Sequence, residues 1–300
     1  MIIDKENNGI CFNNDNHVYW NKKDNSRYIS VTTLIEKYTQ PFDSDFWSKY
    51  KALEKLISPD EWKIEKKSLL KTKKFNDELL SIYNIDKNEF NKVQQGILDE
   101  WQQTNLEACA RGTKIHSQME NLFYKSGKNV NLKRFGIGGK FECIKDYKPL
   151  DLEYGVYPEY LLSYTSSDGI LRIAGQSDLV IKSGNDIIVG DFKSNREIKT
   201  KGVFNTATKS TYNMKYPLSD LPDVNFYHYT MQLSIYAWMI QQMNKDFIIK
   251  DLILIHFDHE GGEHLYHCDY LKDKVEALLR DYKKKVIHKQ QYADLQDIVY

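Results

Sequence analysis

GQSDLVIKSGNDIIVGDFK, residues 175–193, holds two short apolar runs, Asp178–Lys182 and Asp186–Gly190, on either side of Ser183-Gly184-Asn185. A turn cluster between two such runs predicts a β-hairpin. Asp178 stands beside the first run, Asp191 follows the second, and Lys193 comes two residues later. Strand side chains alternate faces, so Asp191 and Lys193 share one face and Phe192 takes the other. Pairing of the two strands then carries Asp178 toward Asp191. Two carboxylates and an ammonium on one sheet face are costly to bury unless a cation joins them, which makes this the start of a hydrolytic metal site. The plain alternative stays open, because an acid two residues before a lysine recurs at Glu61/Lys63, Glu65/Lys67, Asp146/Lys148, Glu197/Lys199 and Asp281/Lys283. Taken alone, the pair also reads as a solvated strand end.

The chain of 300 residues is 41% hydrophobic, enough for one large core or two small ones. Lys+Arg 42 balance Asp+Glu 42, so no global basic field announces a nucleic-acid binder, and any such binding must come from local patches. Aromatic residues make up 13%, with 21 Tyr, which suits base stacking and core packing alike. Cys11, Cys109, Cys143 and Cys268 lack paired-ligand spacing. That argues against a zinc or iron–sulfur site and for a reduced compartment. The start, MIIDKENNGI, has no signal-peptide core, and no apolar run reaches membrane-spanning length. The expectation is a soluble, cytoplasmic protein with no membrane partner.

Upstream, residues 9–31 alternate weakly and predict a small hairpin, after which Ser30 is placed to cap a helix through Tyr38. From Asp43 to Tyr83 the pattern is helical and highly charged. Ser58-Pro59-Asp60-Glu61 carries proline at the first helical position and a glutamate set for a capping box. The run Lys63, Lys66, Lys67, Lys71, Lys73, Lys74 reads as a solvated face, with phosphate tracking as the alternative. Asp86-Lys87-Asn88-Glu89 opens a helix running to Tyr124, with a break or kink expected near Gly96 or Gly112. His116 and Glu120 lie on one side of it. Residues 125–140 read as a Gly/Lys/Asn loop, Phe141–Tyr147 as a short helix, and Leu152–Tyr164 as a strand holding Glu159.

Downstream, residues 194–225 form a long loop or insertion with Arg196, Lys199, Lys201, Lys209 and Lys215 against Glu197 and Asp220. Its place just after Lys193 makes it a better candidate for a nucleic-acid clamp than the earlier lysine run. A helix over Phe226–Met243, strands at Leu252–Phe257 and Leu265–Cys268, and a helix from Leu271 to about Ile287 complete the order. The division expected is 1–90, an N-terminal hairpin and helical elaboration, and 91–300, an α/β core with the basic insertion and C-terminal helix.

In that order the motifs resemble the RecB-like branch of the PD-(D/E)xK nuclease superfamily. Trp101…Ala108…Arg111-Gly112-Thr113…His116…Glu120 is similar to its histidine-bearing helix. Pro158-Glu159 resembles the acidic position on its first core strand, and Gly175-Gln176-Ser177-Asp178 its G-x-x-D. Asp191-Phe192-Lys193 resembles its D-x-K, and Gln232-Leu233-Ser234-Ile235-Tyr236 its Q-x-x-x-Y. Gln296 and Tyr300 repeat the last spacing at the chain's end, so each piece alone is weak. The resemblance spans about residues 100–258. The hairpin and SVTTLIEKY look, less specifically, like the leader of phage-encoded members.

The resemblance implies an α/β, restriction-endonuclease-like core of helix, three-strand meander, helix and strand. It implies Mg²⁺ or Mn²⁺ held by Asp178, Asp191, His116 and the carbonyl of Phe192, with Lys193 orienting the attacking water. Glu159 would bind metal or an ordered water, Gln232 and Tyr236 would brace the site, and Arg111 could meet a phosphate. Hard cations take oxygen ligands, and one imidazole among them is tolerated. The iron–sulfur cysteines of some relatives are missing, and no P-loop signature is present, so a motor would be a separate chain. The reading expected is a DNA exonuclease acting on ends, with DNA as partner and a separate recombinase, single-strand-binding protein or helicase beside it. A structure-selective endonuclease and a catalytically inactive binding scaffold are the alternatives.

Overall fold

The computed structural model describes residues 5–7, 9–13, 16–144, 153–202, 204–205 and 210–297. It is a mixed α/β fold of two compact units. One unit holds Met1–Gln40, Gly112–Gly202 and Tyr212–Tyr300; the other holds Pro41–Arg111 and Val203–Thr211. Lys209, one of the lysines of the predicted clamp, lies outside the described residues.

The first unit is built on one sheet. Its strands are β1 (Lys5–Asn7), β2 (Ile10–Asn13), β3 (Val18–Asn21), β4 (Arg27–Ser30), β5 (Gly155–Thr165), β6 (Arg172–Ser183) and β7 (Asp186–Lys193). The second unit holds a two-stranded ribbon, β8 (Phe204–Asn205) and β9 (Ser210–Thr211). β10 (Ile248–Phe257) and β11 (Glu263–Cys268) finish the sheet, whose order is β1-β2-β3-β4-β6-β7-β10-β11 with β5 also paired to β6. The hairpin predicted at 183–185 is present as the β6–β7 pair, in register from Ser183↔Asp186 to Leu179↔Gly190. β10 runs parallel to β7, from Ile248↔Asp186 to His256↔Lys193. Such a parallel pair needs a crossover, here the helix α6 (Asn225–Met243).

The leader is not a separate hairpin. β2 and β3 pair as expected, but β4 then runs parallel to β6 through Ile29↔Ile173 and Ser30↔Ala174, which joins the leader to the main sheet. Ser30 caps the short helix α1 (Val31–Glu36), its hydroxyl accepting from the Thr33 amide. Both sheet faces are covered, as a sheet with parallel strands requires. Val180, Ile187, Val189, Leu252 and Leu254 face a core shared with α6, α1 and α7 (Lys272–Asp297). Leu179, Ile181, Phe192, Ile253 and Ile255 face a second core with Met119 and Phe123. α6 is buried on all sides from Thr230 to Ile240, the pattern of a helix enclosed by protein.

The second core corrects two expectations. Residues 125–140 are more than a polar loop, because Val130, Leu132, Phe135 and Ile137 are buried against Phe192 and its neighbours. Phe141–Tyr147 was expected to be helical, yet Phe141 bridges Val130 and Cys143 bridges Val156, so this stretch is extended where it is described. Residues 145–147 lie outside the described residues. Sheet edges with open hydrogen-bonding groups took up a segment too short to hold a helix alone.

The helical unit contains α2 (Ser44–Leu56), α3 (Pro59–Thr72), α4 (Glu78–Ile82) and the first part of α5 (Lys87–Ser126). The Ser58–Glu61 capping box forms, satisfying amides at both ends of the box. Phe46, Tyr50, Leu53, Trp62, Leu69 and Phe90 make its core. α5 is assigned as one helix of 40 residues, without the break expected at Gly96 or Gly112. An isolated glycine costs only about 1 kcal/mol in a helix, too little to interrupt one this long. Among the described residues no helix is long and apolar enough to cross a membrane.

Candidate metal centre

Register places the acids in a row. β5 and β6 pair Pro158↔Leu179 and Tyr160↔Ser177, so Glu159 stands opposite Asp178. Continuing β6–β7 one residue past Leu179↔Gly190 sets Asp178 opposite Asp191. The ladder does not continue there in its usual form. Instead Asp178 Oδ2 accepts the Phe192 amide at 2.6 Å, a carboxylate taking the place of a strand carbonyl.

Both strands change phase at this point. In β6, Ile173 and Val180 face the same core although their spacing is odd; in β5, Tyr157 and Tyr160 do likewise. Glu159 sits at φ 53, a left-handed conformation that a glutamate rarely adopts and that carries the phase change in β5. Matched irregularities keep the register while turning the acidic side chains together. Strain of this kind is typical of functional positions.

His116 enters from α5, whose Met119 and Phe123 anchor that turn in the second core. Its Nδ1 lies 3.3 Å from Asp178 Oδ1 and 3.6 Å from Glu159 Oε1, and its Nε2 lies 3.2 Å from the Phe192 carbonyl oxygen. Ligand atoms of His116, Glu159 and Asp178 all fall within 4.8 Å of one another. Two carboxylates and an imidazole suit a hard-to-borderline divalent cation. Asp191 stands beside this set rather than inside it. Lys193 Nζ lies 2.5 Å from Asp191 Oδ2, and Gln232 Nε2 donates to Asp191 Oδ1 at 3.2 Å. The two Asp191 oxygens are thus divided between the Lys193 ammonium and the Gln232 amide.

The electrostatics follow from burial. Asp178 is 6% exposed and Asp191 1%. Burial acts against ionised Asp178, but His116, Lys193 and the Phe192 amide overcome it and hold the carboxyl below its usual range. Burial lifts Asp191 to about 7, with Lys193 opposing and Asp178 adding to the rise. Burial also pulls His116 down, yet Asp178, with hydrogen bonds to Asp178 and Glu159, outweighs it and raises the imidazole to about 11. Lys193 is raised as well, since Asp191 and Asp178 outweigh its desolvation. An excess of acid therefore draws protons into the cluster, the condition a divalent cation relieves.

Gln232 and Tyr236 sit one turn apart on α6, and Gln232 Nε2 also reaches the Tyr236 hydroxyl at 3.2 Å. The tyrosine explains Gly175: a Cβ there would stand 2.6 Å from Tyr236 Cε1. The glycine of one motif thus makes room for the ring of the other. Lys199 and Lys201 are exposed, and the Lys199 amide donates to Asn225 Oδ1, which pins the start of the insertion. Arg111 belongs to the helical unit, where its Nε is buried without a hydrogen-bond partner.

Several residues here have no role in the sequence motifs. Gln176 donates to Glu159 Oε2. Tyr229 lies under Lys193, its ring centroid 4.7 Å from Nζ, and donates to Asn195 Oδ1 at 2.8 Å. Tyr19 of β3 is pushed up by burial and then by Glu159 and Asp178, which places a neutral phenol beside the acids. Tyr229 stands three residues before Gln232 on α6, a helical spacing that could have been noticed. Tyr19 comes from a remote strand and could not.

No protein-family model matches this sequence, and no curated protein matches it either. Among solved structures, the chain is similar to the crystal structure of SSO0001, with 16% identity over 65% of this chain and 68% of that one, at a TM-score of 0.33. It is also similar to an Eubacterium rectale protein named "putative exonuclease", with 12% identity over 87% of this chain and 80% of that one, at a TM-score of 0.32.

Proposed function

We propose that this chain is a metal-dependent nuclease of the RecB-like PD-(D/E)xK type, hydrolysing phosphodiester bonds at DNA ends in the cytoplasm. The observation that carries the reading is the meeting of His116, Glu159 and Asp178 next to an Asp191–Lys193 ion pair. A structural ion-pair network has no need of a left-handed glutamate at its centre. His116, Glu159 and Asp178 would hold Mg²⁺ or Mn²⁺, with Asp191 held beside them by Lys193 and Gln232. Such a cation, when bound, polarises a phosphoryl oxygen and offsets developing negative charge.

The chain's own groups supply the rest. Lys193 stays protonated between Asp191 and Tyr229, so its ammonium can orient a water and meet charge on the phosphorus oxygens. Gln232 holds Asp191 from below, and Tyr236 holds Gln232. Burial of Asp191 and Tyr236 excludes water from that side of the lysine. Exposed Lys199 and Lys201 are the candidates for backbone contacts.

The test is cleavage of end-labelled linear DNA, single- and double-stranded, beside a covalently closed circle, with Mg²⁺, Mn²⁺ or EDTA. Metal-dependent loss of the linear forms alone is expected. Cutting of the circle would replace exonuclease by endonuclease. Absence of cleavage under either metal would leave a binding scaffold.

A further inference from the structure

On the leader side of the acidic row lies a cavity of about 280 Å³. Glu159, Gln176, Gln232 and Tyr236 form its inner wall, so it opens directly onto the cluster described above. Its outer wall comes from the leader: Phe12, His17 and Tyr19 on one side, Ser30 and Thr32 at the rim. Phe12 and Tyr19 stack on each other with centroids 4.5 Å apart, and the exposed His17 ring tilts toward Phe12 at 5.8 Å.

The lining is particular in what it offers. Among the described residues no lysine or arginine lines the cavity, and Glu159 does. A phosphate would find no lysine or arginine there to pair with. An uncharged planar group would meet aromatic rings, the hydroxyls of Ser30, Thr32, Tyr19 and Tyr236, and two side-chain amides, which can stack on it and read its edge. The volume sits just under the roughly 300 Å³ of the smallest ligand sites, which suits one ring system and little more. A nucleobase fits that description. In a duplex its hydrogen-bonding edge is paired and both faces are stacked, so it reaches an enclosed pocket only when unpaired.

We infer that the cavity receives a single unpaired nucleobase beside the bond to be cut, so that the substrate is a single-stranded or frayed end rather than intact duplex. The inference rests on the nuclease reading. The phosphate lies toward Lys193 and the His116–Glu159–Asp178 set, while the adjoining base turns toward Tyr19 and Thr32. The leader strands β2 and β3 thereby become part of the substrate site.

Thr32→Trp tests this, because Thr32 is exposed at the rim and an indole there fills the space without disturbing the core. Saturation-transfer NMR with thymidine, no metal added, should show contact with the wild-type protein and with Thr32→Ser, but not with Thr32→Trp. Inorganic phosphate should not compete. In parallel, wild type should degrade a single-stranded oligonucleotide faster than the same strand in a blunt duplex. Thr32→Trp should lower its kcat/KM on the single strand by about tenfold or more, the scale of a single base–aromatic stack. Thymidine contact absent from wild type, or equal in wild type and a folded Thr32→Trp, overturns the inference. So does a wild-type preference for blunt duplex. Specific thymidine contact without cleavage of any DNA would instead overturn the nuclease reading and leave a base-binding pocket.

Discussion

Two charged regions of this protein use the same residue types to opposite ends. On α3, Lys63 pairs with Asp60 at 2.9 Å, with side chains 77% and 92% exposed. In the middle of β6 and near the end of β7, Asp178 and Asp191 are almost wholly buried, and each meets a cation and a backbone or amide donor. The α3 pair is worth about 0–1 kcal/mol and is indifferent to its neighbours. The buried set is interdependent: removing one member strands another charge away from water. Substitutions should therefore have effects that fall steeply from the second region to the first.

The largest is expected at Asp178, which at once faces His116 and accepts the Phe192 amide. Asp178→Ala should reduce metal-dependent cleavage on the order of 10³-fold or more while DNA binding persists, measured by turnover and by anisotropy of a labelled strand. Cleavage within tenfold of wild type would remove the carboxylate from the chemistry. Lys193→Ala comes next, with turnover lowered roughly 10²–10³-fold and KM little changed. It also leaves Asp191 without its cation, so that carboxyl should rise further above about 7. The variant's loss in melting temperature should consequently shrink as pH falls below about 7, where Asp191 becomes neutral. A loss independent of pH would mean that the ion pair is not what holds this corner.

His116 gives a smaller, graded effect. Its pKa in the metal-free fold, about 11, lies above the ordinary 6.5. The stability contributed by the paired imidazolium is thus fully present below about 6.5 and is lost as pH rises through about 11. A cation needs the Nδ1 lone pair and must displace that proton, so Mn²⁺ affinity should climb with pH by up to about tenfold per unit. Calorimetry in two buffers of different ionisation enthalpy should show proton release, and His116→Gln should lower it by the imidazole's share, leaving what the neighbouring Asp191 gives up. Equal heats in both buffers would show that the imidazole is not a ligand.

How far the sequence disclosed this arrangement depends on how local each cause was. The β6–β7 hairpin was legible because its turn and alternation lie within Gly175–Lys193. The Ser30 and Ser58 caps were legible because a cap is decided within four residues. The row Glu159–Asp178–Asp191 was legible only in part. Its motifs could be read, but the left-handed Glu159 and the matched phase change arise from tertiary packing of Tyr160 and Ile173. The parallel β4–β6 pairing joins residues more than a hundred positions apart and leaves no periodic trace. Tyr19 and the base-sized cavity were hidden for the same reason. Residues 194–225 read as a long loop or insertion, yet Ile198, Met214, Leu218 and Leu221, which bury the stretch against the core, looked like isolated apolar residues.

That insertion supplies the smallest prediction, and the one that returns to the exposed lysines. Lys199 and Lys201 lie on a segment fixed by Ile198 and by both the oxygen and the nitrogen of the Asn225 side-chain amide, whereas the α3 lysines belong to a helix of the other compact unit. If position near Lys193 is what matters, Lys199→Gln/Lys201→Gln should weaken DNA binding a few-fold. It should also flatten the dependence of log affinity on log salt by about 0.7 for each phosphate of a single strand that is no longer neutralised. Lys63→Gln/Lys66→Gln/Lys67→Gln should shift stability by less than about 0.5 kcal/mol and leave the salt slope as it was. Both sets are exposed lysines, two against three, so a slope that falls in proportion to the number removed from either set would mean that binding reads net charge alone. A response confined to the first set would assign the backbone contacts to the stretch that directly follows Lys193.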